Sequence, residues 1–270
     1  MHKMGMRLLL AFDGLRWAGS RMLARIPYGA NFRCSICERR VRRFLPYRNG
    51  LADVPPLIRE LAVVGSDVEN FACPACGCHD RERHLLMYLE ASGLLSQMRQ
   101  KKILHFAPEF HLQKFIRAAE PLEYIQGDLY PTQPEIQQID LQAVHYPENH
   151  FDFVLANHVL EHVQDDRRAL AEIHRILRPN GHAILQTPYS SVLAQTFEDP
   201  GIQTSQACLH AYGQEDHRRL YGKDIFQRFE ACGLRSLKKV HSQLLSEVDD
   251  VRSGVNPVEP FFVFQKTSDA

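Results

Sequence analysis

The sequence predicts an α/β protein in which helices cover both faces of a central sheet. The main observation is that residues 151–188 have the pattern of a strand, a turn, a helix and a second strand in succession. Phe151–Ala156 opens this unit as an apolar run without polar alternation, which is typical of a central strand buried on both faces. A cysteine-rich stretch before residue 80 predicts a small additional lobe.

The helix of this unit is predicted to begin near residue 166. Apolar residues recur there at helical spacing, at Leu170, Ile173, Ile176 and Leu177. Asp165 and Asp166 place negative charge at the N-terminus, where the helix dipole favours it. The Arg-Pro-Asn-Gly stretch at 178–181 should end the helix, and a strand should resume over 182–186.

Composition is ordinary for a soluble protein, with 44% hydrophobic and 24% charged residues in a chain of 270. The formal net charge is zero, but residues 1–48 hold eleven Lys or Arg against Asp13 and Glu38. This asymmetry indicates an anionic partner, such as nucleic acid, phospholipid or a phosphorylated substrate. A solvated basic face is the alternative.

Residues 1–29 are predicted to form a basic amphipathic helix. No window approaches the apolar length of a membrane-spanning helix, and the apolar run at 8–10 is too short for a signal peptide. We therefore expect a cytoplasmic protein with reduced thiols and no transmembrane segment. The helix should pack on the protein body, with peripheral contact to a membrane surface as the alternative.

Two C-x-x-C pairs, Cys34 with Cys37 and Cys73 with Cys76, predict a structural zinc ion in a lobe over residues 30–79. Both sulfurs of such a turn can point at one centre, so two turns complete the tetrahedral set of four thiolates that Zn²⁺ prefers.

Other chemistry is open in this lobe. One pair could instead be a redox disulfide, and Cys78 or His79 could replace a zinc ligand. Residues 42–71 should form a loop or small hairpin between the pairs. Cys208 and Cys232 are expected to be buried thiols rather than ligands.

The domain over residues 80–270 is predicted to begin with an amphipathic helix over 80–98. Its apolar side consists of Leu85, Leu86, Tyr88, Leu89, Leu94 and Leu95. Further elements are expected as strands near 103–106, 123–126, 236–240 and 261–265, and as a last helix over 223–232.

The motif at 151–188 resembles the second half of class I S-adenosylmethionine (SAM) dependent methyltransferases. The family pattern is close to FDxVxxxxVLEHxxD, a helix, LxPGG and a strand, and Leu177, Pro179 and Gly181 stand at the matching distances. Asn180 replaces the first glycine and tolerates the left-handed conformation that this turn needs. The resemblance implies a Rossmann-like sheet with helices on both faces and SAM as the cofactor.

The stretch LHFAPE at 104–109 resembles a subfamily with zinc knuckles, in which it replaces the glycine-rich turn. Aligned on Ile103-Leu104, the chain has His105, Ala107 and Glu109 where most members have an acidic residue and two glycines. The resemblance implies that this turn approaches SAM, and it extends from about residue 34 to residue 234.

The same resemblance implies further cofactor contacts at strand ends. Asp128 would accept hydrogen bonds from the ribose hydroxyls, and Asp140 would accept one from the adenine amino group, next to a backbone amide of Leu141. Asn157 and His158 would lie at the carboxyl end of their strand, where open α/β sheets bind ligands.

Residues 189–221 are predicted to form a lid, because insertions after this strand cover the active site in the resembled family. TFED at 196–199 and YGQEDHRRLYG at 212–222 match the subfamily motifs TxED and FGQxDHxRxYG. The predicted catalytic residues are His158, His217 and Asp216. Asp216 would orient or tune a histidine base, or it would hold the lid while His217 faces the acceptor.

Other roles for the lid are open. Arg218 or Arg219 could bind an anionic acceptor, and the charged residues could instead form an internal salt-bridge network. Glu198, Asp199, His158 and His217 could also form a second, oxygen-rich metal site.

The resulting prediction is a SAM-dependent methyltransferase with a structural zinc site and an unidentified acceptor. We expect a hydroxyl of a small or glycan-like molecule, for which a base would be needed. Methylation of rRNA or tRNA is the alternative within enzymes, given the basic N-terminal stretch. A non-catalytic binding or scaffold module is the alternative outside enzymes, because the glycine-rich turn is lost.

Overall fold

A computed structural model describes residue 29 and residues 31–267 of the chain. The basic helix predicted over residues 1–29 lies, apart from Gly29, outside the described residues. Within the described part, no helix is long and apolar enough to cross a bilayer.

The strands and helices of the described residues are short. The strands are β1 (Phe32–Arg33), β2 (Arg40–Val41), β3 (Val63–Val64), β4 (Lys102–Phe106), β5 (Glu123–Asp128), β6 (Gln137–Gln138), β7 (Phe151–Ala156), β8 (Leu177–Ile184), β9 (Tyr189–Ser190), β10 (Leu234–Ser236) and β11 (Val263–Lys266). The α-helices are α1 (Pro56–Glu60), α2 (Asp80–Ala91), α3 (Leu94–Gln97), α4 (Leu112–Ala118), α5 (Asp166–Ile176), α6 (Ser205–Tyr212), α7 (Ile225–Glu230), α8 (His241–Leu244) and α9 (Asp250–Ser253).

Two compact units divide the chain. The smaller consists of the described part of Met1–Asp53, together with Ser66–Met87 and Glu247–Asn256. The larger consists of Val54–Gly65, Tyr88–Ser246 and the described part of Pro257–Ala270. This division differs from the predicted boundary at residue 79. Residues 54–65 stand between the two cysteine pairs in sequence, yet β3 pairs with β9 and so joins the larger unit.

The larger unit is built on a seven-stranded sheet in the order β10-β11-β8-β7-β4-β5-β6. The five strands from β8 to β6 pair in parallel, whereas β11 runs antiparallel to both of its neighbours. The strand order reverses between β4 and β7, which creates a switch point at their carboxyl ends. The predicted Rossmann-like α/β sheet is therefore confirmed.

Both faces of this sheet are covered. In β7, Phe153, Val154, Leu155 and Ala156 are all buried, and β4 is buried likewise from Ile103 through Phe106. Since successive side chains of a strand point to opposite faces, an unbroken buried run requires packing on both sides. The apolar pattern of Phe151–Ala156 predicted this arrangement.

The strand, helix and strand predicted over 151–188 are present as β7, α5 and β8. The Asp165 side chain caps α5 by accepting a hydrogen bond from the Arg168 amide, 3.0 Å away. Asn180 adopts the expected left-handed backbone with φ of 64°. The 178–181 stretch is nevertheless a bulge inside β8 rather than a turn before it, since β8 already begins at Leu177.

The helix predicted over 80–98 is interrupted. α2 ends at Ala91 and α3 begins at Leu94, with Gly93 between them in the left-handed conformation at φ of 74°. Glycine adopts that conformation without steric cost, so it can end one helix and let the chain change direction. The apolar spacing continued through this break and did not reveal it.

The buried Asp166 carboxylate of α5 binds both the end of the predicted lid and α7. Arg228 donates two hydrogen bonds of 2.7 Å to Asp166, which also accepts one from the Tyr221 hydroxyl. Burial alone would raise the pKa of Asp166, but hydrogen bonds from Arg228 and Tyr221, with the nearby guanidinium charges, hold it below its usual value. Arg228 and Arg219 both reach Glu198 as well.

We expect Arg228→Met to lower the free energy of unfolding by about 3–5 kcal/mol, because it leaves the buried Asp166 carboxylate without its bidentate partner. Urea unfolding would measure the change. Arg167→Met is the matched control, because Arg167 is an exposed arginine next to Asp166 in α5 and should change stability by less than about 0.5 kcal/mol. Equal stability of the two variants would contradict the structural role of the pair.

Candidate functional site

The carboxyl ends of β4, β5, β6 and β7 form one edge of the sheet, which we call the carboxyl edge. The turn after β4 passes this edge with Ala107 at φ of 44°, and the Ala107 amide donates to the Gly127 carbonyl. A residue with a Cβ adopts this left-handed conformation at some cost, and glycine does not. In the common family pattern a glycine stands in this turn, and a left-handed backbone explains why. This chain keeps the left-handed backbone with an alanine in its place.

Three of the predicted cofactor residues form a hydrogen-bonded chain at this edge. The buried His105 imidazole lies 2.9 Å from the Tyr124 hydroxyl through Nδ1 and 2.9 Å from Glu109 through Nε2. The other oxygen of Glu109 accepts from the Asn157 side-chain amide. Asn157 Oδ1 is buried and has no hydrogen-bond partner among the described residues. A ligand that carries an N–H or O–H group would satisfy this acceptor.

The two predicted aspartates stand at neighbouring strand ends. Asp128 ends β5, and its Oδ1 accepts from the Tyr130 amide at 2.8 Å, which fixes the local turn. Asp140 follows β6, and its Oδ1 accepts from both the amide and the side chain of Gln142. Leu141 beside it is buried. Both carboxylates are partly exposed and retain capacity to accept hydrogen bonds from a ligand.

A second group of side chains, which we call the histidine cluster, consists of His158, Glu161, His162 and His217. His158 follows β7 with a left-handed φ of 55°, and its Nδ1 lies 3.3 Å from Glu161 Oε1. His158 Nε2 faces Glu259 Oε1 at 3.9 Å. The His162 and His217 rings meet edge to face, with centroids 4.7 Å apart.

The ionisation of this cluster follows from its burial. Glu161 is 1% exposed, and burial alone would raise its pKa. A hydrogen bond from His158 and the electrostatic effect of the neighbouring imidazoles outweigh that effect and lower the pKa of Glu161 to about 2. Burial lowers the pKa of His217, so its imidazole is neutral near pH 7.

Asp216 does not pair with His217 as predicted. Its Oδ2 lies 3.3 Å from His162 Nδ1, whereas His217 Nδ1 donates to the Tyr212 carbonyl at 3.1 Å. Asp216 lies in a turn and His217 directly follows it, and the two side chains are directed to different partners. The Asp216 carboxylate can therefore orient His162, and a backbone carbonyl orients His217.

The predicted second metal site on Glu198, Asp199, His158 and His217 is not formed. Glu198 pairs with Arg219 and Arg228, and Asp199 Oδ1 accepts from the Gly201 amide. The alternative of an internal salt-bridge network in the lid is therefore correct for Glu198. Arg219 is also structural, because it is 3% exposed and donates to three backbone carbonyls, those of Leu160, Val163 and Gln164.

Arg218 stays a candidate from the sequence, whereas Glu259 is a site residue that the sequence did not predict. Arg218 is exposed and stays a candidate to bind an anionic acceptor. Glu259 was not predicted, because it precedes β11 by four residues within an apolar stretch that carries no motif. Glu161 and His162 lie in the VLEHV stretch at residues 159–163.

The smaller unit brings together the four predicted zinc ligands. The Sγ atoms of Cys34, Cys37, Cys73 and Cys76 all lie within 4.8 Å of one another. Cys34 Sγ is 3.9 Å from Cys76 Sγ, and Cys37 Sγ is 3.9 Å from Cys73 Sγ. Tetrahedral zinc–sulfur bonds of about 2.3 Å place sulfurs about 3.8 Å apart, so the cluster fits a zinc ion.

The two cysteine turns have the same local geometry. The Glu38 amide donates to the Cys34 carbonyl, and the Gly77 amide donates to the Cys73 carbonyl, each at 2.8 Å. Glu38 and Gly77, which follow the second cysteine of each pair, both have positive φ. Hydrogen bonding with Cys34 lowers the pKa of Cys76 to about 6, so this thiol is readily ionised for a metal.

Cys78 is a fifth thiol beside this cluster. Its Sγ lies 3.4 Å from Cys34 Sγ and is fully buried. Arg83 Nη1 approaches the same sulfur at 3.9 Å. His79, the other substitute ligand considered, stacks its ring on Phe71 with centroids 4.2 Å apart. No disulfide joins the seven cysteines.

Comparison with known proteins bears on the larger unit. Residues 113–185 match the family described as a methyltransferase domain. This match spans the strands β5 to β8 and the helix α5, and thus about a quarter of the chain. No curated protein matches the sequence.

Similar solved structures include the YcgJ protein of Bacillus subtilis, with 15% identity, a TM-score of 0.46, and coverage of 69% of this chain and 100% of that one. A SAM-dependent methyltransferase of Mesorhizobium loti has 14% identity, a TM-score of 0.43, and coverage of 66% and 96%. The 1,6-didemethyltoxoflavin-N1-methyltransferase of Burkholderia thailandensis has 18% identity, a TM-score of 0.42, and coverage of 67% and 79%.

We expect the purified protein to hold one zinc ion at the cysteine centre, and Cys73→Ser to lose it, because three thiolates bind Zn²⁺ far less tightly than four. Elemental analysis after dialysis against a mild chelator would measure it. Cys232→Ser is the matched control and should retain the metal, since Cys232 lies in the other unit. Full retention in Cys73→Ser would assign the fourth ligand to Cys78.

Proposed function

We propose that this chain is a SAM-dependent methyltransferase whose cofactor site is the carboxyl edge of the larger unit. The observation that supports it most is the methyltransferase sheet order, combined with hydrogen-bonding side chains at the ends of four adjacent strands. A cofactor bound there would supply an electrophilic methyl group on a sulfonium. The chain's own work is to bind the cofactor, align an acceptor and exclude water.

The residues at this edge fit the donors of SAM. Its ribose hydroxyls and its adenine and methionine amino groups are hydrogen-bond donors, and the edge presents acceptors. Asp128 and Asp140 would take the ribose and the adenine amino group, respectively. The unpartnered Asn157 Oδ1 supplies a buried acceptor beside Glu109. The turn around Ala107 keeps the backbone conformation that close approach requires.

The histidine cluster supports a protic acceptor, with a hydroxyl as the first choice. His158 directly follows Asn157, so this cluster adjoins the proposed cofactor site along the chain. The neutral His217 has its Nδ1 proton directed at a carbonyl, so its Nε2 carries a lone pair that can take a proton or hold a cation. The exposed Arg218 would suit an acceptor that also carries negative charge.

RNA is the second candidate acceptor, and one observation favours it. All six arginines of residues 33–48 are exposed on the smaller unit. These are Arg33, Arg39, Arg40, Arg42, Arg43 and Arg48. Such a basic surface binds phosphates without reading sequence. Small acceptors stay the first choice, because Glu161 and His217 are buried and a base of a folded RNA would need to enter the cluster to reach them.

Incubating the protein with methyl-labelled SAM and fractionated cell extract tests these proposals together. Label in the small-molecule or glycan fraction is expected, and label in RNA would select the second candidate. SAM binding without label in any fraction would favour a non-catalytic module. Absence of SAM binding would refute the proposed cofactor site itself.

We expect Asp128→Ala to weaken SAM binding more than tenfold, because two ribose hydroxyls lose one shared acceptor. Isothermal titration calorimetry would measure the affinity. Glu135→Ala is the matched control, since Glu135 is an exposed acid in the same loop region and should leave the affinity unchanged. An unchanged affinity in both variants would move the ribose contact away from Asp128.

We expect His217→Asn to lower turnover at least tenfold while the dissociation constant for SAM stays within about twofold. The asparagine amide can still donate to the Tyr212 carbonyl, so the local fold is kept while the Nε2 lone pair is lost. His210→Asn, an exposed histidine of α6, is the matched control. Wild-type turnover in His217→Asn would reduce His217 to a structural residue and leave His158 as the candidate.

A further inference from the structure

Two histidines of the cluster share an arrangement that is characteristic of metal ligands. His162 Nδ1 lies 3.3 Å from the Asp216 carboxylate, and His217 Nδ1 lies 3.1 Å from the Tyr212 carbonyl. A carbonyl can only accept, so the His217 ring proton sits on Nδ1 and its lone pair is on Nε2. The His162 ring faces Asp216 through Nδ1, and its Nε2 lies 3.9 Å from Glu161 Oε1. Metal-binding histidines are oriented by such carboxylate and carbonyl partners.

The third member of this set is a buried carboxylate. Glu161 is 1% exposed, and its Oε1 faces His158 at 3.3 Å. Its Oε2 is buried and has no hydrogen-bond partner among the described residues. A buried carboxylate oxygen without a donor is costly, and a cation would compensate it.

The three side chains converge. One ligand atom each from Glu161, His162 and His217 can be chosen so that all lie within 4.8 Å of one another. Bonds of about 2.0–2.2 Å to a shared ion bring such atoms to about 3–3.5 Å. Movements of about an ångström at the side-chain ends would close the set around an ion.

We propose that Glu161, His162 and His217 form a second metal site, which takes a divalent first-row transition metal on two imidazoles and one carboxylate. This donor set suits zinc, iron or manganese in open sites that keep positions for water or substrate. It differs from the cysteine centre in chemistry, because it offers only nitrogen and oxygen. It also differs from the set considered from sequence, since only His217 is common to both.

The role of this metal rests on the methyltransferase function proposed above, but the site itself does not. An acceptor hydroxyl bound at an open position would have its pKa lowered. Its proton would pass to solvent, and an oxygen lone pair would form the new O–CH₃ bond. The S–CH₃ bond of SAM would break with its electron pair left on sulfur. His217 would then be a metal ligand and not the direct proton acceptor.

The alternative is a purely hydrogen-bonded cluster, in which His158 is the partner of Glu161 and no ion binds. His158 also faces Glu259, at 3.9 Å. The two arrangements predict different metal contents for the intact protein. They can therefore be separated without knowing the acceptor.

Equilibrium dialysis of the full chain against Zn²⁺, followed by elemental analysis, tests the site. Two zinc ions per chain are expected in the wild-type protein, and one in Glu161→Gln and in His162→Ala/His217→Ala, because the cysteine centre keeps its own. His210→Ala is the matched control and should keep two. Asp216→Asn should weaken the second site by about tenfold or more, as expected for loss of an orienting carboxylate.

Retention of the first zinc and an unchanged circular dichroism spectrum would show that each variant is folded. One zinc per chain in the wild-type protein, or two in the double histidine variant, would overturn the second site. SAM titration of the same samples is independent of this result. Failure to bind SAM would count against the proposed function, whereas failure to bind a second metal would count only against this inference.

Discussion

The parallel pairing of β4 with β7 is the constraint on which the candidate site depends. In this register Phe106 lies opposite Ala156, so the two strands end together at the carboxyl edge. Asn157 is the first residue beyond β7, and Glu109 lies three residues beyond β4. Their hydrogen bond spans the point where the strand order reverses. A slip of one residue would turn Asn157 to the other face of the sheet and break this contact.

The departure from the glycine-rich pattern has a local explanation. Most members of the family that the sequence resembles have an acidic residue where this chain has His105, and a glycine where it has Glu109. Here the carboxylate comes from Glu109 and contacts the buried His105 at 2.9 Å. Ala107 between them keeps a positive φ. The turn thus retains both a carboxylate and the backbone conformation, with the carboxylate moved along the chain.

Sequence reasoning succeeded where the determining signals are local. The helix α5 follows from its Asp165 cap and its apolar spacing, and the cysteine centre follows from two short turns with fixed spacing. It failed where distant segments meet. The pairing of Val63–Val64 with β9 joins residues more than a hundred positions apart, and neither partner carries a motif. Glu259 beside His158 is a similar case.

The partner of Asp216 shows why side-chain roles are harder to predict than elements. Adjacency to His217 suggested a pair, but the backbone sends the two side chains in different directions, and Asp216 meets His162 instead. The residue types indicated that a site exists. The direction of each side chain depended on how the lid folds. A motif of this kind predicts that a site exists more reliably than it predicts which groups touch.

The fixation of the lid on the loop after β7 gives the histidine cluster its geometry. The Arg218 amide donates to the Glu161 carbonyl at 2.8 Å, and the next residue, Arg219, donates to the carbonyl of Leu160 and to two further carbonyls of that loop. His217 immediately precedes these two anchors. Its ring is therefore positioned beside His162 before any ligand arrives, which reduces the conformational entropy that binding must overcome. Arg219 is almost fully buried, so its guanidinium loses its contacts with water. The hydrogen bonds to the three carbonyls compensate this loss in the docked lid. The same interactions that fold the lid thus determine where an acceptor or a metal ion can be held.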